Sequence, residues 1–239
     1  MNNIFETDLL SNYQIRTLTI LTKSEQLLLR YGYSKVTIDD IARECGLGKG
    51  TVYLHFKSKE NLFYAVFLKA AAEITGYIID YLKQDFSNAN LAELLVESYT
   101  ACYNRELIVA LFTKNSLLLG KLLQNKHSSA SQELKLGLLK ESLTMYREHN
   151  FVKQNMSVEM QLHTINMILL GMFHYNSHLN DLLPLESQQI MLYQTIKDTF
   201  STTSNQAINN ELYDYVLNQF LTMLKFYKQQ IFKLTVKSN

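Results

Sequence analysis

Residues 37–56 read TIDDIARECGLGKGTVYLHF, and this stretch decides the fold. Thr37 is a residue type that caps helix starts, and Asp39 and Asp40 follow where the positive end of the helix dipole favours carboxylates. Ile38, Ile41, Ala42 and Cys45 then form an inward stripe, and Gly46 ends the helix. After Leu47-Gly48 the spacing predicts a second, short helix, Lys49–Phe56, with Val52 and Phe56 one turn apart and inward. Two short helices joined by a glycine turn make a helix-turn-helix, whose second helix is offered to the major groove of DNA while the first crosses the backbone.

The flanks agree. Upstream, Leu18, Leu21, Leu28 and Tyr31 mark one face of a helix from Gln14 to Tyr31, closed by Gly32. Downstream, Ser58 starts a helix running to about Asp85. Amphipathic segments with polar joints follow: Ala89–Tyr103, a broken stretch from Arg105 to Lys126, Ser131–Asn150, Ser157–Asn180, Ser187–Phe200 after Pro184, and Asn210–Val236. Residues 201–210, rich in Ser, Thr and Asn, read as a loop. The chain of 239 residues has one proline and 8 glycines, four of them between Gly32 and Gly50. That is too little turn chemistry for a sheet protein, so the expected class is all-α. The expected domains are a three-helix helix-turn-helix head, residues 1–57, and a larger helical ligand-binding and dimerisation body, residues 58–239.

Composition narrows the function. Net charge is +1, but Arg16 to Lys69 carries nine basic and five acidic side chains, leaving the rest of the chain acidic by three. A modestly basic head on a mildly acidic body fits nucleic-acid binding by the head. Cys45 and Cys102 are too few for a disulfide framework, and residues 1–10 lack a basic, apolar secretory signal, so a cytoplasmic protein is expected. Met160–Asn180 has no Asp, Glu, Lys or Arg, yet its Gln, Asn and His side chains are too polar for a membrane span. It reads as a helix buried on most sides. The run Gly46-Leu47-Gly48-Lys49-Gly50-Thr51 is not a phosphate loop, because Arg43 stands at the first glycine position and Gly50 follows the lysine. No nucleophile–base spacing points to an enzyme, and no cofactor or metal is expected.

On the short helix, Lys49 can reach a phosphate or a guanine edge, and Gly50 lets the backbone approach a base. Thr51, Tyr53 and His55 lie on its flanks, Tyr53 and His55 offering donors to phosphate oxygens, and Leu54 can touch a thymine methyl. Thr37 and Lys59, each at a helix start, complete the expected DNA-binding set.

From Tyr31-Gly32-Tyr33 through Thr37–Ala42, Cys45-Gly46-Leu47 and Gly50–Phe56 to Ser58-Lys59-Glu60-Asn61-Leu62, the sequence resembles the TetR family signature without insertion. Gly48 stands where that family often has a capping Ser, and Cys45 where it often has Ala. The resemblance implies an all-α homodimer that binds a double-stranded DNA operator and releases it when a small effector enters the body. Dimerisation through helices 157–180 and 210–236 is likewise implied by the resemblance. Aromatic, methionine and histidine side chains of the body are candidates to line an apolar effector site: Tyr99, Tyr103, Phe112, Met145, His163, Met167 and His174. The same head also suits a structural, chromosome-organising protein whose body binds another protein. The histidines at 163, 174 and 178, on one helical face, lack the cluster that a metal site needs.

Overall fold

The computed structural model describes residues 4–5, 10–124, 129–178, 183–202 and 207–236. Among these residues the chain is all-α, with two isolated β-bridges, Phe56 with Thr235 and Val152 with Ser201. The helices are α1 (Asn12–Tyr31), α2 (Ile38–Glu44), α3 (Lys49–His55), α4 (Lys59–Gln84), α5 (Leu91–Tyr103), α6 (Glu106–Phe112), α7 (Ser116–Leu119), α8 (Ser129–Glu148), α9 (Val158–His178), α10 (Leu185–Phe200) and α11 (Asn210–Lys233). The expected end of α9 at 179–180 and part of the 201–210 loop lie outside the described residues.

Local chemistry explains the boundaries. Ser11 caps α1 in a reciprocal box with Gln14, so the helix starts at Asn12, two residues before the expected Gln14. Gly32, at φ +76°, ends it. A Cβ there would also stand 2.9 Å from the carbonyl oxygen of Leu117, so the position excludes side chains twice over. The stretch from Arg105 breaks where Lys114 turns left-handed and Asn115 caps α7. Pro184 caps the start of α10.

The chain divides into two compact units. The first gathers residues within 1–73, 105–127 and 224–239, and the second those within 74–104 and 128–223. The sequence division at 57/58 falls inside the first unit. In that unit α1 packs on α2, α6 and α7, and its core contains Ile20, Leu21, Leu28, Ile41, Val52, Phe56, Leu62 and Phe63. A partly buried ion cluster joins its helices: Lys69 lies 2.7 Å from Glu73 and 3.5 Å from Glu25, while Arg105 pairs with both carboxylates.

In the second unit α5 packs on α10 and α8 on α9. Buried Tyr99 donates its hydroxyl to Gln188 at 2.6 Å and lies against Phe173, ring centres 4.9 Å apart. Arg147 donates to the carbonyl of Met156 at 2.6 Å and to the buried side chain of Gln161 at 2.9 Å. α4 is long and apolar enough to cross a membrane, but 67% of its most apolar window is buried inside the protein, so its apolarity serves packing. The expectation for α9 needs correction. Gln161, Ile165 and Phe173 face inward at four-residue steps, whereas Met160, Met167, Leu170 and Tyr175 are exposed on another face. In the single chain that apolar face is open.

Candidate nucleic-acid interface

The helix-turn-helix is built from local signals. Thr37 caps α2: its hydroxyl oxygen accepts the N–H of Asp40 at 3.2 Å, and the Asp40 carboxylate accepts the N–H of Thr37 at 3.0 Å. The Thr37 hydroxyl and amide, with Arg43 beyond them, hold the Asp40 carboxyl below its ordinary range. Gly46 takes φ +64° in the turn, and the Leu47 amide closes it on the Ala42 carbonyl at 2.8 Å. Gly48 caps α3 without a side-chain bond.

On α3, Val52 and Phe56 are buried as the spacing required. The other side of the helix is open: Lys49 and Gly50 are exposed, Tyr53 is 43% and Leu54 61% exposed, and Thr51 is half-buried at the flank. A Cβ at Gly50 would meet nothing within 4 Å, so the glycine is not demanded by packing within the chain. Lys49 does not stand alone. Its ammonium donates to Asp39 at 2.7 Å, and that bond raises its pKa. Next to this pair, Arg43 binds Asp40 at 2.5 Å with its own side chain largely exposed. Lys49 and Arg43 are thus each held by one of the two carboxylates that open α2.

Two expected contacts are not where sequence spacing put them. His55 is 2% exposed. Its ring stacks on Tyr13 of α1, centres 4.2 Å apart and planes within 9°, and its Nδ1 sits 2.8 Å from the Thr17 hydroxyl. It is three residues from Val52 and therefore shares the inward stripe, so it offers no donor to a phosphate. Lys59, half-buried, is also engaged within the chain. Its ammonium donates to the Tyr33 carbonyl at 2.5 Å and lies 4.1 Å over the Tyr33 ring, with burial lowering its pKa. The start of α4 is also occupied, because Ser58 accepts the Asn61 amide and the Tyr33 hydroxyl donates to Glu60 at 3.0 Å. Thr37 is exposed but uses its hydroxyl on the cap.

Sequence spacing did not single out Tyr13, whose hydroxyl donates to the Leu54 carbonyl at 3.1 Å and so ties α1 to α3. It also missed Asp39 as the partner of Lys49. The i+10 separation of that pair crosses a turn, so no periodicity announces it.

The candidate effector residues are divided between the two units. Tyr99 is buried and hydrogen-bonded, with Tyr103 half-buried beside it at 5.8 Å. Met145 and His174 are half-buried in the same unit, whereas Phe112 belongs to the other unit. His163 and Met167 are exposed in the single chain, on the open face of α9, because the inward steps are taken by Gln161, Ile165 and Phe173. The side chain of His178 lies outside those described.

Comparisons with known proteins follow the same division. The model of the family described as bacterial regulatory proteins, tetR family, matches residues 20–66. An uncharacterized HTH-type transcriptional regulator of Bacillus subtilis, YerO, is 26% identical over 208 residues, covering 80% of this chain and 66% of that protein. The match thus spans just under two thirds of that relative's length. Among solved structures, the fatty acid degradation regulator FadR from Bacillus halodurans aligns with a TM-score of 0.61 at 17% identity, covering 76% of this chain and 94% of that one. FadR from Bacillus subtilis in complex with stearoyl-CoA aligns at 0.57 with 16% identity, covering 75% and 96%. At these identities the likeness is one of fold.

Proposed function

We propose that the chain, whose residues 20–66 match the tetR family model, is a cytoplasmic DNA-binding transcriptional repressor, released from its operator by a small apolar effector. The observation that carries the DNA-binding reading is the division of α3: Val52, His55 and Phe56 are buried, and Lys49, Gly50, Tyr53 and Leu54 are open to a groove. In this reading residues 1–57 act as the head and 58–239 as the body.

A homodimer reads a palindrome. Two copies related by a twofold axis present their recognition helices about 34–36 Å apart, one turn of DNA. The open face of α9 supports this assembly, because Met160, Met167, Leu170 and Tyr175 would otherwise leave a run of apolar side chains in water. In this proposal residues 157–180 and 210–236 supply the interface. An effector then acts only through differential affinity: it must bind the DNA-incompetent arrangement better than the competent one. Stearoyl-CoA, the ligand of the Bacillus subtilis FadR structure, is the first probe to try on this chain.

Selection of duplexes from a random library by the purified protein tests the reading. Enrichment of a palindrome with half-sites one helical turn apart, bound by a species that sediments as a dimer, is expected. Recovery of no preferred sequence would sink it. Loss of the selected duplex on adding stearoyl-CoA would place the effector among long-chain acyl thioesters.

A further inference from the structure

We propose that the segment following α11, residues 234–236, is a positioning element for the recognition helix. The proposal rests on the reading of α3 as that helix. At seven residues α3 is only two turns long, and helices of that length do not hold themselves in water. Its N-cap is a glycine with no side-chain bond. Its last carbonyls have no partner within the helix and must find one elsewhere.

Two of them do, from opposite ends of the sequence. The Leu54 carbonyl accepts the Tyr13 hydroxyl at 3.1 Å, and the His55 carbonyl accepts the Val236 amide at 3.1 Å. Phe56, the residue that closes α3, pairs with Thr235 as an antiparallel bridge. Both residues of the bridge are buried. Behind it Thr235 donates its hydroxyl to the Phe232 carbonyl at 2.7 Å, and Ile231 and Tyr227 are buried on the inward face of α11. The segment is therefore docked, with its own anchor in the last turns of α11.

Consequences for regulation follow from the path of α11. Its first residues, 210–223, belong to the second unit and its last, 224–233, to the first. The body accordingly has a second route to α3 besides α4, covalent along α11 and closed by the Val236–His55 hydrogen bond on the backbone of the DNA-facing helix. A slide of α11 by one residue, about 1.5 Å along its axis, would stretch the Val236–His55 bond beyond hydrogen-bonding range. Positioning by residues 234–236 thus couples the pose of α3 to α11.

Val236→Pro removes the amide donor, and Val236→Ala keeps it as the control. Hydrogen exchange of the α3 amides in the full-length protein is the first readout, because it does not depend on whether α3 binds DNA. Affinity for the library-selected duplex relative to a random duplex is the second. Val236→Pro is expected to speed exchange at residues 52–56 about fivefold or more, the factor corresponding to one net hydrogen bond. It should lower the selected-to-random affinity ratio by a similar factor, while exchange in α1 stays as in the wild type. Val236→Ala should match the wild type in both. Unchanged α3 exchange and an unchanged ratio in Val236→Pro would overturn the proposal. Should Val236→Pro unfold the whole head, seen as lost protection in α1 as well, deletion of residues 234–239 decides by the same two readouts. If no duplex is ever selected, the DNA reading fails and the exchange data still test the tether.

Discussion

Replacing His55 separates a buried strut from a DNA contact. In the structure the imidazole is buried, stacked at 4.2 Å on Tyr13 and within 2.8 Å of the Thr17 hydroxyl. The stack contributes about 0.5–1.5 kcal/mol beyond its area. The buried hydrogen bond adds about 1 kcal/mol, and emptying a core position of a ring adds a cavity cost, so His55→Ala should lose roughly 3–5 kcal/mol in all. For a chain of this length that corresponds to a fall in Tm of about 2–4 °C per kcal/mol. His55→Phe keeps the ring and most of the volume. Thr17 retains the Tyr13 carbonyl at 2.9 Å, so only about 1 kcal/mol should go. The assay is thermal melting beside the salt dependence of binding to a random duplex. A phosphate neutralised by a cationic side chain, such as a protonated imidazole, contributes close to 0.9 to the log–log salt slope. Both variants should keep the wild-type slope, and Phe should nearly restore the melting temperature. A His55→Phe protein that melts like the wild type while its slope falls by about 1 would refute the burial argument.

Three further outcomes are expected. Tyr53→Ala should weaken binding to selected and random duplexes alike, about five- to tenfold, with melting unchanged, since its ring is 43% exposed; gel shifts on both duplexes and a melting curve check this. Gly50→Ala fits the free protein, where a Cβ meets nothing within 4 Å, and should raise helix stability by about 0.5–1 kcal/mol while weakening the selected duplex; loss of stability instead would show that the glycine serves the fold. Asp39→Asn frees the Lys49 ammonium and removes a negative charge beside it, so affinity for random DNA should rise and its salt slope steepen by up to about 1, at the expense of the selected-to-random ratio.

Much of the head is legible because its signals are local. Thr37 with Asp40, Gly46 at positive φ and the Val52–Phe56 pair act within a few residues of themselves, and the structure keeps each of them. His55 was legible too, in principle. Val52, His55 and Phe56 stand at i, i+3 and i+4, the spacing of a buried stripe, and only its polar type pointed outward. Lys59 and Asp39 are different, because their partners, the Tyr33 carbonyl and Lys49, are reached across turns that periodicity does not describe. The body resists reading for another reason. α9 is apolar or weakly polar on every side, so hydropathy cannot say which side faces the chain's own core and which a partner. Phe112 and Tyr99 illustrate the same limit, since both stood among the candidate effector residues and the contacts assign them to separate units.

The recognition helix owes its pose to residues far from the motif. α3 is tied to α1 through Tyr13 and His55, and α1 in turn is tied to α4 and to Arg105 through Glu25. In that cluster Lys69 and Arg105 share the carboxylates of Glu25 and Glu73, so the four charges cancel. A balanced, partly buried cluster of this kind adds little net stability over apolar packing, but removing its carboxylates leaves the buried Lys69 ammonium short of a counter-charge. It therefore resists partial rearrangement, and α1, α4 and the start of α6 are held in one relation. Residue 105 and residues 234–236 lie in the body by sequence, yet they set the frame in which the motif stands. The helix-turn-helix residues supply the groove-facing chemistry, and the long-range ties supply the rigidity that makes a two-turn helix usable as a probe. An effector that acts through α4 or α11 then has no need to touch α3, because disturbing either tie removes part of what holds it.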